Sequence, residues 1–192
     1  MTRLSLPLTI SAALAIFGSA LAQADQGQRS AEPPELAAQA AFFDNIKALC
    51  GTRFEGQSSF PEDPGDAFRD KILVALIETC SEHEIRIPFL VGEDSSRTWI
   101  LTRLAKGGLE LKHDHRHADG TPDDVTLYGG TTSNPGSAVS QSFPADAYTA
   151  ELIPEAASNE WSITITADGS ELIYYLERHG QPRFKATLRR VQ

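Results

Sequence analysis

The chain lacks the short signatures that usually announce an enzyme. No GxSxG nucleophile elbow, HExxH helix, phosphate-cradling GxxxxGK[ST] loop or GxGxxG turn occurs in its 192 residues, which lowers the case for catalysis and favours binding. It also lacks a basic surplus. Seventeen Lys and Arg stand against 26 Asp and Glu, a net charge of -9. Nucleic acid and anionic membrane surfaces, which both need cations gathered on one face, are therefore excluded as general partners. Methionine occurs once and cysteine twice, and no CxxC spacing exists. Beyond the first two dozen residues no apolar run is long enough to span a bilayer, so no membrane span is expected.

The amino terminus has the layout of a secretory signal: Arg3, an apolar stretch from Leu4 to Phe17, then small residues leading to Ala22-Gln23-Ala24. The expectation is cleavage after about Ala24 and a secreted or periplasmic protein. Removal of residues 1–24 takes away Arg3 and no acid, shifting the net charge from -9 to -10. Residues 25–35 are polar, contain Pro33-Pro34 and show no periodicity, so they read as a flexible leader. Residues 36–192 then form a single domain. In an oxidising compartment Cys50 and Cys80 are expected to pair. On the chain-entropy model, closing a loop of about 31 residues stabilises the fold by roughly 3.7 kcal/mol.

From Glu35 to Cys50 the apolar residues Leu36, Ala40, Phe43, Ile46 and Leu49 recur at helical spacing, with Gly51 placed to end the helix. The period then changes to two. Ten strands are predicted, at about 53–59, 71–79, 84–91, 96–105, 108–117, 125–132, 138–143, 158–166, 171–179 and 183–191. A short helix over Asp146–Ile153, stopped by Pro154, interrupts them. Short Gly, Pro, Asn and Asp connections imply antiparallel neighbours, and each strand has one wet face. Ten such strands avoid exposed edges by closing, so the chain is predicted to be mainly β, an antiparallel meander barrel with an N-terminal helix. A two-sheet β-sandwich is the alternative.

The chemistry gathers in Leu109-Glu110-Leu111-Lys112-His113-Asp114-His115-Arg116-His117. Leu109, Leu111, His113, His115 and His117 share one parity, so this face runs from apolar to hydrogen-bonding, as an orienting ligand pocket requires. If the following turn pairs His117 with Asp124, Tyr128 falls opposite His113 and Thr126 opposite His115. Gly129-Gly130 either bends that strand or opens space beside a ligand. Three other readings compete: an exposed strand end with ion pairs, a Zn or Cu site on His113, His115 and His117, and acid/base chemistry by His113 or His115 with an aspartate. Imidazoles two residues apart on one strand can share a divalent ion, but spacing places no third ligand.

Trp99 and Trp161 read as core aromatics that could line a cavity. Arg97 and Arg103 flank Trp99 on its own parity. Arg178, Arg183, Lys185, Arg189 and Arg190 read mostly as an outward, wet barrel face. The acidic loops containing Glu62, Asp63 and Asp66, and Asp119, Asp123 and Asp124, lack EF-hand spacing.

The helix, the Cys50-Gly51-Thr52-Arg53-Phe54-Glu55-Gly56 opening and the meander resemble the calycin architecture of lipocalins, fatty-acid-binding proteins and nitrobindin-like barrels. Gly51-x-x-Phe54 is loosely similar to the lipocalin Gly-x-Trp opening, and no haem-ligating histidine transfers onto a matching motif. Ile85 to Gly92, Ser96 to Trp99, and His113 to Gly120 with Tyr128-Gly129-Gly130 also resemble a group of exported bacterial proteins of unassigned function. That resemblance implies export and a shared fold. The functional expectation is a binding protein for a small apolar or amphipathic ligand, held by His113, His115, Tyr128, Trp99 and Thr126. No resident cofactor and no catalytic residue are assigned. The alternatives are a divalent-metal or hydrolytic protein using the histidines, and a structural or inhibitory interaction domain.

Overall fold

The first element begins where the polar leader gives way to alternating apolar residues. The computed structural model describes Met1, residues 34–61 and residues 65–191; apart from Met1, the expected export signal over 1–24 lies outside them, as does the expected leader except for residues 34–35, which open the first helix instead. Helix α1 spans Pro34–Ala48, and the strands are β1 (Arg53–Phe60), β2 (Leu73–Leu76), β3 (Thr79–Cys80), β4 (Glu84–Val91), β5 (Asp94–Arg103), β6 (Leu109–His115), β7 (Tyr128–Thr131), β8 (Ser140–Pro144), β9 (Asn159–Ile165), β10 (Glu171–Arg178) and β11 (Gln181–Val191). A short helix α2, Ala147–Leu152, lies between β8 and β9, with Asp146 as its N-cap accepting from the Thr149 N–H.

The strands pair antiparallel in the order β7-β6-β5-β4-β2-β1-β11-β10-β9-β8, and the two-residue β3 sits beside β4. This is a nearly closed meander barrel, not the sandwich. First and last strands are joined firmly, β1 to β11, from Arg53↔Val191 to Phe60↔Lys185. The weak seam is in the middle of the chain, between β7 and β8, where a single bridge joins Gly130 to Ala145.

Glycine makes that seam possible. A Cβ on Gly130 would stand 1.7 Å from the Pro144 carbonyl oxygen, and one on Gly129 would stand 1.9 Å from that of Leu111. Two side-chain-free residues thus let β7 lie against its neighbours on both sides, in place of the bend or open space that the sequence suggested. Helix α2 fastens the join. The fully buried Thr149 hydroxyl accepts from Gly129 N–H and donates to Gly129 C=O, both at 2.7 Å, and Lys112 on β6 is ion-paired with Asp146.

Alternating burial along β4 and β9 sends every second residue inward. One end of the barrel is filled. Ile85, Ile87, Leu101, Leu111, Ile163, Leu172 and Leu188 are wholly buried there, and α1 covers that end with Phe42, Phe43 and Ile46. Arg103 bonds Asp44 of α1 at 2.6 Å and lies over the Phe43 ring. The Cys50–Cys80 disulfide ties the chain just after α1 to β3.

Two predicted strands keep only about half their expected length. The stretch 71–79 forms only β2 and the separate β3, because Ile77 leaves the ladder to exchange hydrogen bonds with Gly51 and Thr52. The stretch 125–132 keeps only 128–131, because Leu127 takes a left-handed backbone (φ 56°) that breaks the strand just before Tyr128.

Candidate functional site

The open end of the barrel holds a cavity of about 430 Å³. Its walls follow from strand register. Trp99 pairs with His113 across β5 and β6, and two residues further along both strands Arg97 pairs with His115. On the opposite wall Leu176 pairs with Trp161, and Arg178 with Asn159. By chemistry the lining divides into an aromatic floor of Phe89, Trp99, His113, Trp161, Tyr174 and Phe184, and a polar rim of Arg97, His115, Tyr128, Asn159, Arg178 and Arg183.

The floor is an aromatic stack. Trp99 stacks with both Phe89 and Tyr174, with ring centroids 4.3 Å from each and interplanar angles near 20°. His113 stacks on Tyr128 at 4.7 Å. Its tautomer follows from its partners. Nδ1 lies 3.1 Å from the Tyr128 carbonyl oxygen, which can only accept, so Nδ1 carries the proton and Nε2 accepts from the Tyr174 hydroxyl at 2.7 Å. Burial holds the His113 pKa down at about 3, so the ring is neutral at physiological pH. Burial likewise raises the Tyr128 hydroxyl to about 12 and pushes Tyr174 well above its ordinary value, so both remain protonated.

At the rim the Tyr128 hydroxyl is 3.1 Å from His115 Nε2. Burial, with Arg97 adding to it, lowers the His115 pKa. Arg97 bonds Asp94 and lies over the Phe68 ring, while Arg178 Nε donates to Asn159 Oδ1 at 2.7 Å.

Of the residues singled out from sequence, His113, His115, Tyr128 and Trp99 meet in this cavity. Thr126 does not line it. With β7 cut short at Leu127, Thr126 instead accepts the His115 N–H at 2.7 Å and contacts Asp114 Oδ1 at 3.3 Å, behind the strand. Asp114 also faces away from the histidine rings, bonded to Arg116 at 2.9 Å. His117 lies past the end of β6 and is exposed. Among the described residues no three His, Cys, Asp or Glu side chains are placed to hold a metal ion. Both ring nitrogens of His113 are already engaged, which leaves it no free lone pair for a metal or a substrate proton while those bonds hold.

Arg178 and Arg183 correct the sequence reading, since both line the cavity instead of the outer face. Arg178 shares parity with Leu172, Tyr174 and Leu176, so simple alternation could have placed it. Arg183 could not be placed that way. The β10–β11 register shifts between Leu176↔Phe184 and Glu177↔Pro182, leaving Arg183 as the bulged residue, and a bulge re-aims a side chain. Phe68 belongs to an irregular loop and carried no periodic signal. Arg97 and Arg103, which flank Trp99 in sequence, end at opposite ends of the barrel.

No protein-family model matches the chain, and neither a curated protein nor a solved structure gives a match.

The His113 environment fixes a pH dependence. The unfolded ring titrates near 6.5 and the folded ring near 3, so between those values the unfolded chain binds a proton that the fold excludes. Stability is complete above pH 6.5 and falls as pH drops toward 3, by about 2 kcal/mol at pH 5 from this residue alone. Urea unfolding at pH 7.5 and 5.0 should show a smaller loss in His113→Gln than in the parent. Equal losses in the two proteins would refute the buried neutral ring.

Proposed function

We propose that this barrel binds one small apolar or amphipathic molecule in its open-end cavity, with Trp99 beneath it and His113, His115 and Tyr128 orienting it. The observation that carries the reading is the cavity itself. At about 430 Å³ it exceeds the ~300 Å³ at which small-molecule sites begin, and it joins aromatic walls to a few convergent polar groups. A core built only for stability would fill this end as it fills the other. No helix among the described residues is long and apolar enough to cross a membrane. The Cys50–Cys80 disulfide supports a periplasmic or extracellular setting, where such bonds persist.

The neutral dye N-phenyl-1-naphthylamine provides the test. It should bind saturably at one site per chain, with Kd on the order of 100 µM or tighter, the affinity expected of a ligand of its size. Its emission should rise, and tryptophan fluorescence should change in step because Trp99 and Trp161 form the floor. Absence of saturable binding would overturn the reading.

A further inference from the structure

The rim of the cavity reverses the charge of the molecule. The chain carries -9 overall, yet Arg97, Arg178 and Arg183 all line the open end of one cavity, from strands on opposite walls. Against them stand Asp66, which shares the lining and caps the Phe68 N–H at 2.9 Å, and Asp94, which is paired with Arg97. Among the described residues, three guanidinium groups over two carboxylates leave one positive charge. Arg183 is exposed and has no ion-pair or hydrogen-bond partner among the described residues. Arg178 spends only Nε on Asn159, leaving its two terminal nitrogens for another acceptor. A guanidinium placed beside an aromatic cavity without a carboxylate of its own is suited to an acid group arriving from solvent.

The depth of the cavity restricts the rest of the ligand. Floor and rim are two residues apart along β5 and β6, a rise of about 7 Å. Below the floor Leu101, Leu111, Ile163 and Leu172 are fully buried, so no channel continues into the barrel. A long alkyl chain has nowhere to extend, whereas one ring or two fused rings fit the height and meet aromatic faces.

Resting on the ligand-binding reading above, we propose that the natural ligand is a small aromatic monoanion, its ring system on Trp99, Tyr174 and Trp161 and its carboxylate or similar acid group held at the rim by Arg178 and Arg183.

A matched pair of dyes separates this inference from its premise. 8-Anilinonaphthalene-1-sulfonate has the carbon skeleton of N-phenyl-1-naphthylamine plus one sulfonate. The sulfonate dye should bind the full chain about tenfold tighter at low salt, as expected for a new charge-assisted contact, and lose most of that advantage in 0.5 M NaCl. The double variant R178Q/R183Q should bring the two dyes to similar affinity. R183Q alone, at an exposed position, should remove part of the difference. If the neutral dye binds and the sulfonate dye binds no better, the anion site is wrong and the cavity reading stands. If the sulfonate advantage survives in R178Q/R183Q, the arginines are not its source and the inference fails. If neither dye binds, both fall.

Discussion

Trp99→Ala should lower the folding stability by about 4 kcal/mol, the loss typical of removing a large buried aromatic side chain. Trp99 is 2% exposed and stacks with both Phe89 and Tyr174. Its removal deletes the indole and also unsupports Tyr174, whose hydroxyl fixes the His113 ring. In a chain of this size the melting temperature should drop by about 10 °C. Trp99→Phe, which keeps one ring in the stack, should restore most of the loss. Dye affinity should follow the floor and not the stability alone: the alanine variant, measured where it is still fully folded, should bind N-phenyl-1-naphthylamine with altered affinity, whereas a destabilised variant elsewhere should not. A cost below about 1 kcal/mol for Trp99→Ala would mean that the stack contributes little to packing.

Loss of the disulfide should cost nearly as much by a different route. The bond joins residues 30 apart in sequence, and on the chain-entropy model its removal frees the unfolded chain by roughly 3.7 kcal/mol. In the folded state Cys50 follows α1 and Cys80 pairs with Ile85 at the edge of β4. The same end is also held by wholly buried Phe42, Phe43 and Ile46. A Cys50→Ser/Cys80→Ser variant should therefore keep the native fold and the open-end cavity while its urea midpoint falls sharply. Unchanged dye affinity with the lower midpoint would separate a stability role from a binding role. A midpoint within error of the parent would show that packing of α1 alone restrains this segment.

The periodicity of the sequence carried the barrel well because most of its strands bury one face completely. Ile85, Ile87, Phe89 and Val91 on β4, and Trp161, Ile163 and Ile165 on β9, alternate without a break and all turn inward. His113 and His115 were legible for the same reason, since they continue the inward face begun by Leu109 and Leu111. What alternation misses is the place where the period itself slips. Leu127 enters a left-handed conformation that polar neighbours do not announce, and Thr126 leaves the cavity wall as a result. The bulge at Arg183 moves a residue that parity assigns to solvent onto the cavity rim. Closure is another long-range property: that β11 returns to β1, and that the seam falls between β7 and β8, depends on summed twist and not on any local signal. The Gly129-Gly130 pair was visible as a special position, but its purpose became clear only with the Leu111 and Pro144 carbonyls beside it.

The central claim is that the open end of this barrel is a ligand site, and a crystal structure of the protein grown with N-phenyl-1-naphthylamine tests it most directly. The expected result is dye density inside the cavity, its rings over Trp99 and Tyr174 and within reach of His115 and Tyr128, with the α1 end of the barrel still filled. Density confined to the outer surface, or a cavity closed by repacked aromatic side chains with no dye in it, would contradict the claim.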